Sequence, residues 1–374
     1  MKRREKGVKM SGMIDYLKWR GDLSFEYDPV NEVDNLIFCR LSYLPFEDVL
    51  GVNFSGSIKL KNALQKVLSA RQKLKEGEVK EEKDLNDFHL TSLVAESARF
   101  NNLDIISFAC VFDEEKQQQF SATTFSIKNS IFIAFRGTDD SLVGLKEDFN
   151  MNFISPIPSQ IEGVKYLNTV SNKISDIYLG GHSKGGNIAI YSAAFCENKI
   201  QKKIKKIYNN DGPGFSNEIV ESIEYLNIED RIVTLIPQTS IIGLMLENRG
   251  RYSVISSSGR GLLQHDLFSW EVSGKEIVRV EEVDKFSRYF DATLDDWLRS
   301  TTQEERQKFI DILYDIITSA NFKKMSDLSQ SPIKSTAAII KAYTSDDKEN
   351  REVISTLLKS LFKIAGSNLF SKEI

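Results

Sequence analysis

Cysteine, histidine and proline are scarce in this 374-residue chain. The three cysteines, Cys39, Cys110 and Cys196, stand far apart, with no CxxC pair and no cluster with histidine. That spacing argues against a disulfide framework and against a zinc site, and a reduced, cytoplasmic protein is the simplest reading. Seven prolines leave no Pro-rich linker. Long hydrophobic runs are missing too. Stretches such as Ile241 to Leu246 fall far short of a bilayer span. No apolar h-region follows the basic segment Met1 to Lys9, so no signal peptide is expected there. Neither sign of charge dominates. Lys and Arg number 49 against 53 Asp and Glu, a net charge of −4, which provides no electrostatic case for nucleic acid.

The chain has 41% apolar and 27% charged residues, a mixture that builds an ordinary globular core. Its length accommodates one large domain with an appendage, or two domains. Residues 30–45, 57–75 and 88–101 have helical spacing, and the charged stretch Lys75 to Asp87 reads as an exposed turn or a solvated helix end. Ile105–Phe112, Gln119–Ile127 and Ser130–Phe135 are short β-rich runs expected to pair antiparallel. Strand-like and helix-like segments then alternate. The strands are Asp176–Gly180, Ile204–Asn209, Arg231–Ile236 and Tyr252–Ser256, and the helices Ile161–Lys173, Lys184–Glu197 and Ser216–Leu226. This order implies a mainly parallel sheet flanked by helices. After about residue 285 only helical patterns remain. The expected organisation is a helical N-terminal segment at 1–104, an α/β core at 105–284 and a helical appendage at 285–374.

The strongest local signal is Gly181-His-Ser-Lys-Gly185, a G-x-S-x-G pattern. An apolar strand precedes it, and a small-residue helix, Asn187 to Ala194, follows. That strand–turn–helix setting is what a nucleophile elbow needs. Ser183 must stand clear of the sheet on a strained turn. Gly181, Gly185 and Gly186 bring no Cβ against the neighbouring strand and helix. A Gly-rich strand-to-helix turn that binds phosphate, or has no functional role, is the competing reading of the same residues.

Serine at neutral pH needs a base, ordinarily histidine. Of three histidines, His89 lies far upstream on a helix. His182 sits inside the elbow, where its side chain is expected to pack or hydrogen-bond elsewhere. His265 follows the last strand, where the chain order Ser…acid…His places the base. The candidate acid is Asp211, in Asn210-Asp-Gly-Pro-Gly214, at the end of the strand after the nucleophile helix. The bland alternative is an Asp that bonds only its own turn. Asp266 adjoins His265, and Glu229 and Asp230 precede a strand and so sit at the wrong edge. Two N–H donors are expected for an oxyanion. They are the amide of Lys184, after the nucleophile, and that of Thr138, in the loop after Ser130–Phe135. The Thr138 hydroxyl would lock that loop or add a donor. Asp148 would pair with Arg136 or brace the loop, and a structural ion pair is the plainer reading for both charges.

Phe135-Arg-Gly-Thr138 followed by Gly181-His-Ser-Lys-Gly-Gly186 resembles the class 3 lipase group of α/β-hydrolases, in which the first segment forms part of the oxyanion hole. The match is closer to a bacterial branch, the Mbeg-like family, catalogued as a domain of unknown function. The residues that carry it are Asp15-Tyr-Leu-Lys-Trp19, Gly21-Asp-Leu-Ser-Phe25, Asn31-Glu-Val-Asp34, Gly181 to Asn187, Asp211-Gly-Pro-Gly-Phe215, Pro237-Gln-Thr-Ser240 and Gln264-His-Asp266. Together they cover about residues 13–300. Class 3 lipases carry their acid after the strand equivalent to Arg231–Ile236, where this chain reads Pro237-Gln-Thr-Ser240 with no carboxylate. The acid has then moved to Asp211, or the triad is incomplete.

These readings lead to a serine hydrolase acting on small acyl or lipid-like esters, with no metal, organic cofactor or nucleic-acid partner expected. The segment Ile241-Ile-Gly-Leu-Met-Leu246 and the C-terminal helices are candidates for an acyl pocket or lid. Two other classes stay open. One is a non-catalytic binding protein on the same fold. The other is a different acyl-transfer enzyme, such as a thioesterase or peptidase.

Overall fold

The computed structural model describes residues 11–72, 82–171, 176–320, 322, 324, 332–345 and 347–371. Met1 to Lys9 and most of the charged stretch Lys75 to Asp87 lie outside the described residues. The chain opens with α1 (Met13–Arg20), α2 (Glu32–Leu41) and α3 (Glu47–Leu50), then β1 (Asn53–Lys59), α4 (Leu60–Gln72) and α5 (Glu82–Glu96). Next come β2 (Asp104–Asp113), β3 (Gln118–Ile127) and β4 (Ser130–Phe135), followed by α6 (Leu142–Asn150) and α7 (Pro158–Val170). The remaining sheet elements are β5 (Asp176–His182), α8 (Lys184–Phe195), α9 (Asn198–Gln201), β6 (Ile204–Asn210), α10 (Asn217–Val220), α11 (Ile223–Leu226), β7 (Ile232–Pro237) and β8 (Ser253–Ile255).

These eight strands form one sheet in chain order. The β1–β2, β2–β3 and β3–β4 pairings are antiparallel, and the four from β4 to β8 are parallel. Helices cover both faces, so β3 and β4 are buried along almost their whole length. The period of two sorts each strand's side chains. Phe132 and Ala134 enter a core shared with Val33, Phe38, Val94 and Phe100 of the N-terminal region. Ile131, Ile133 and Phe135 enter the opposite core, with Leu167 and with Ile188 and Ala193 of α8. Burying one such side chain fully contributes roughly 1.5–3 kcal/mol. The N-terminal region is therefore one wall of the sheet. Its α2 starts at an Asn31 cap that accepts from Val33 N and Asp34 N, and the whole of Val33–Leu41 is buried.

Three elements differ from the sequence reading. Residues 53–59 were expected to fall in a helical segment, the last of them inside a helix at 57–75, yet they form β1. This is an exposed edge strand, Asn-Phe-Ser-Gly-Ser-Ile-Lys, held by pairing with β2. It has no alternating apolar pattern to announce it. Ser216–Leu226 is two short helices, because Ser222 accepts from Tyr225 N at 3.3 Å and starts a second one. The last strand is only Ser253–Ile255.

A two-stranded ribbon, β9 (Val272–Ser273) with β10 (Glu276–Ile277), leads to α12 (Lys285–Ser300), α13 (Gln303–Ser319), α14 (Pro332–Ser345) and α15 (Lys348–Ser371). Ile312, Ile316 and Ile354 give these helices a small core of their own. They also rest on the sheet domain. Leu142, Leu145 and Phe149 of α6 meet Ile310, Leu313 and Ile317 of α13, and Lys146 pairs with Asp311 at 2.9 Å.

Candidate active site

Ser183 occupies the break between β5 and α8, at the end of a central strand. Its backbone is at φ 56°, ψ −133°, a conformation costly for a residue with a Cβ. Surrounding hydrogen bonds hold it there. Ser183 N donates to Asn210 O at 3.0 Å, and Gly186 N donates to Ser183 O at 2.9 Å. A Cβ on Gly181 would lie 2.1 Å from the Gly185 carbonyl carbon, and one on Gly185 would lie 2.2 Å from Phe135 O. One on Gly186 would strike Asn209 Oδ1. The helix thus approaches the strand as closely as backbone permits.

Asp211 follows β6 immediately and is 1% exposed, with φ 53°. Its Oδ2 lies 2.6 Å from His265 Nδ1. Its Oδ1 accepts from Ser240 Oγ at 2.6 Å, while Ser240 Oγ accepts from Gly243 N at 3.0 Å. The acid therefore does more than bond its own turn. With Nδ1–H directed at the carboxylate, the lone pair of His265 is on Nε2. His265 ends the short 3-10 turn Gly261–His265 after β8. Gln264 anchors that turn by accepting from Thr239 N at 2.8 Å, which ties it to the loop after β7. His182, the residue before Ser183, brings the His265 turn to the end of β5, with its ring centroid 4.4 Å from that of His265. Among the described residues no hydrogen bond joins the Ser183 hydroxyl to the His265 imidazole.

The loop after β4 crosses directly over the elbow. A Cβ on Gly137 would stand 2.4 Å from His182 O and 3.3 Å from Ser183 Cβ. Thr138 comes next, and its hydroxyl donates to Asp148, 2.6 Å from both carboxylate oxygens. Asp148 is pushed up to about 6 by burial, which outweighs the opposing pull of Lys184 and of the Thr138 hydrogen bond. Lys184 is the first residue of α8, so its amide has no intrahelical acceptor. Its side chain is buried beneath the elbow. Nζ donates to Gln119 Oε1 and Glu147 Oε2, both at 2.9 Å, and stands 3.8 Å from Asp148. Glu147 also accepts from Ser159 N, Ser159 Oγ and Gln119 N, so this buried carboxylate is fully occupied.

Asp148 braces the Thr138 loop and does not pair with Arg136. Arg136 turns the other way, donating to Ser42 O at 2.6 Å, to Leu44 O at 3.0 Å and to both oxygens of Glu47. Burial works against the Glu47 carboxylate, but the guanidinium holds it below its ordinary range. The Ile241–Leu246 segment is half-buried and packs on the acid. A Cβ on Gly243 would stand 2.4 Å from Asp211 Oδ1. Asp266 caps the next 3-10 turn through Phe268 N, and His89 is exposed on α5. Tyr43, Glu147 and Ser240 were not singled out as site residues. Ser240 lies inside the Pro237–Ser240 motif, and the other two carry no local signature.

Among the described residues no group of three His, Cys, Asp or Glu is placed to hold a metal ion. A cleft of about 700 Å³ opens at the other end of the strands, by Tyr178, Lys206 and Lys275. Its charges are largely paired, as in Lys205–Asp176 and Arg279–Glu32. No described helix is long and apolar enough to cross a membrane.

Fold and site together define an α/β protein whose helix-flanked, mostly parallel sheet carries a strand–serine–helix turn at its C-terminal edge. The chain belongs to the Mbeg1-like family, whose model matches residues 94–315, a span that holds Thr138, Ser183, Lys184, Asp211 and His265. No curated protein matches the chain.

Proposed function

We propose that this protein is a serine hydrolase that cleaves carboxylic esters of acyl or lipid-like type through an acyl-enzyme on Ser183. The observation that carries this reading is the 2.6 Å contact between His265 Nδ1 and a buried Asp211 beside a strained serine elbow. His265 Nε2 removes the Ser183 proton as the hydroxyl oxygen attacks the ester carbonyl. The amides of Lys184 and Thr138 stabilise the oxyanion, and Asp211 stabilises the imidazolium. His265 then protonates the departing alcohol, and water activated by the same imidazole releases the acid. The likeness of Phe135–Thr138 and Gly181–Gly186 to class 3 lipases supports the assignment. An apolar substrate suits Leu262 and Leu263, which are 69% and 71% exposed on the turn that carries His265.

The open Ser183–His265 link favours one competitor, a non-catalytic binding protein. Hydrolysis of p-nitrophenyl esters from acetate to palmitate, with fluorophosphonate labelling of wild type and Ser183→Ala, decides between them. Turnover and labelling that vanish in the variant are expected. A wild type that neither turns over nor labels refutes the hydrolase.

A further inference from the structure

His182 is 7% exposed and polar, and the mechanism above makes no use of its side chain. Its ring bridges two loops. Nε2 lies 2.8 Å from the backbone carbonyl of His265, and Nδ1 lies 3.0 Å from Tyr43 Oη. Tyr43 Oη also lies against Gly137, on the loop that crosses the elbow, where a Cβ would stand 2.3 Å from it. Donor and acceptor roles follow from chemistry alone. A carbonyl only accepts, so His182 Nε2 carries a proton. In the neutral ring Nδ1 then accepts, and the Tyr43 hydroxyl spends its one proton there. The result is a directed chain from the Tyr43 hydroxyl through His182 to His265 O, with Gly137 packed against its first member.

We propose that Tyr43 and His182 are positioning residues that hold the oxyanion loop and the His265 turn in register across the elbow, with His182 as the neutral Nε2–H tautomer. The residue before Thr138 packs against one end of the chain and the backbone of His265 accepts at the other, so both halves of the site share one set of contacts. The effect on acylation rests on the hydrolase reading, whereas the register does not. A displacement of 1 Å in such a site is enough to cost about 100-fold in rate.

The experiment uses the full chain with 15N-labelled histidine and glycine. Long-range proton–nitrogen correlation should show His182 protonated on Nε2. In Tyr43→Phe, which keeps the ring and removes only the hydroxyl, the Gly137 amide and the His265 Nδ1–H resonances should both move. Fluorophosphonate labelling of Ser183, which forms a phosphonate ester as fluoride leaves, should slow about tenfold, the equivalent of one neutral hydrogen bond. His182→Gln, which retains an N–H for the His265 carbonyl, should label faster than His182→Leu. An Nδ1–H tautomer in the wild type overturns the proposal, as does a Tyr43→Phe spectrum with both resonances unmoved. A wild type that fails to label refutes the hydrolase instead, and the resonances still decide the register.

Discussion

Replacing Asp211 by Asn tests the acid at a position where the new side chain fits. The two residues are isosteric, and Asn tolerates the positive φ of 53° as well as Asp does. What changes is the direction of one proton. Ser240 Oγ already accepts from Gly243 N at 3.0 Å, so its hydroxyl proton points at Oδ1 of residue 211, 2.6 Å away. An Asn there must keep its carbonyl oxygen toward Ser240 and turn its NH2 toward His265 Nδ1. The imidazole is then forced to accept at Nδ1 and to carry its proton on Nε2, the nitrogen that must receive the serine proton. Loss of the correct tautomer and of the carboxylate charge together costs about 10⁴-fold in kcat, roughly 5.5 kcal/mol of barrier. Adding Ser240→Ala removes the constraint and lets the amide rotate its oxygen to His265. The double variant should therefore recover part of the loss, a sign reversal that simple damage to the fold does not produce. Ester hydrolysis at saturating substrate, with circular dichroism as a check on folding, measures both. An Asp211→Asn enzyme within tenfold of wild type would refute the assignment of the acid.

Three further outcomes follow from the same structure. Gly181→Ala places a methyl 2.1 Å from backbone of Gly185, which no side-chain rotation relieves; it should destabilise by about 3 kcal/mol and slow phosphonylation of Ser183 about 100-fold, read by denaturant unfolding and fluorophosphonate kinetics. Asp148, raised to about 6 by burial, binds its proton more tightly folded than unfolded, so its contribution is favourable below its unfolded value and is lost as pH rises through 6. Asp148→Asn should thus raise the thermal midpoint at pH 8 and leave it nearly unchanged at pH 4, and an equal shift at both would contradict the argument. Arg99→Met strands Asp34, which is fully buried with Arg99 Nε at 2.8 Å; a loss of about 3–5 kcal/mol is expected, and a neutral result in denaturant titration would show that other partners compensate.

Much of the molecule is determined by local sequence. The alternation of apolar runs set β4 to β8 and the helices between them, because a strand buried on both faces has to be apolar along its length. The elbow was equally readable, since only glycine permits backbone to touch backbone at 181 and 185. Chain order points to His265, and the end of β6 before the Gly212-Pro-Gly214 turn points to Asp211. Tertiary structure decided the rest. β1 is polar and exists because β2 offers it a partner. Arg136 chose Glu47 over Asp148 because the Ser42 and Leu44 carbonyls lie on that side of the loop, a fact of packing between segments some ninety residues apart. Ser240 and Tyr43 carry no signature of their own, for a lone hydroxyl acquires a role only when folding aims it at a buried group. The carboxylate missing after β7 is the clearest case: the sequence shows a gap at Pro237–Ser240, and only the fold shows that Ser240 there donates to Asp211 at the end of the neighbouring strand.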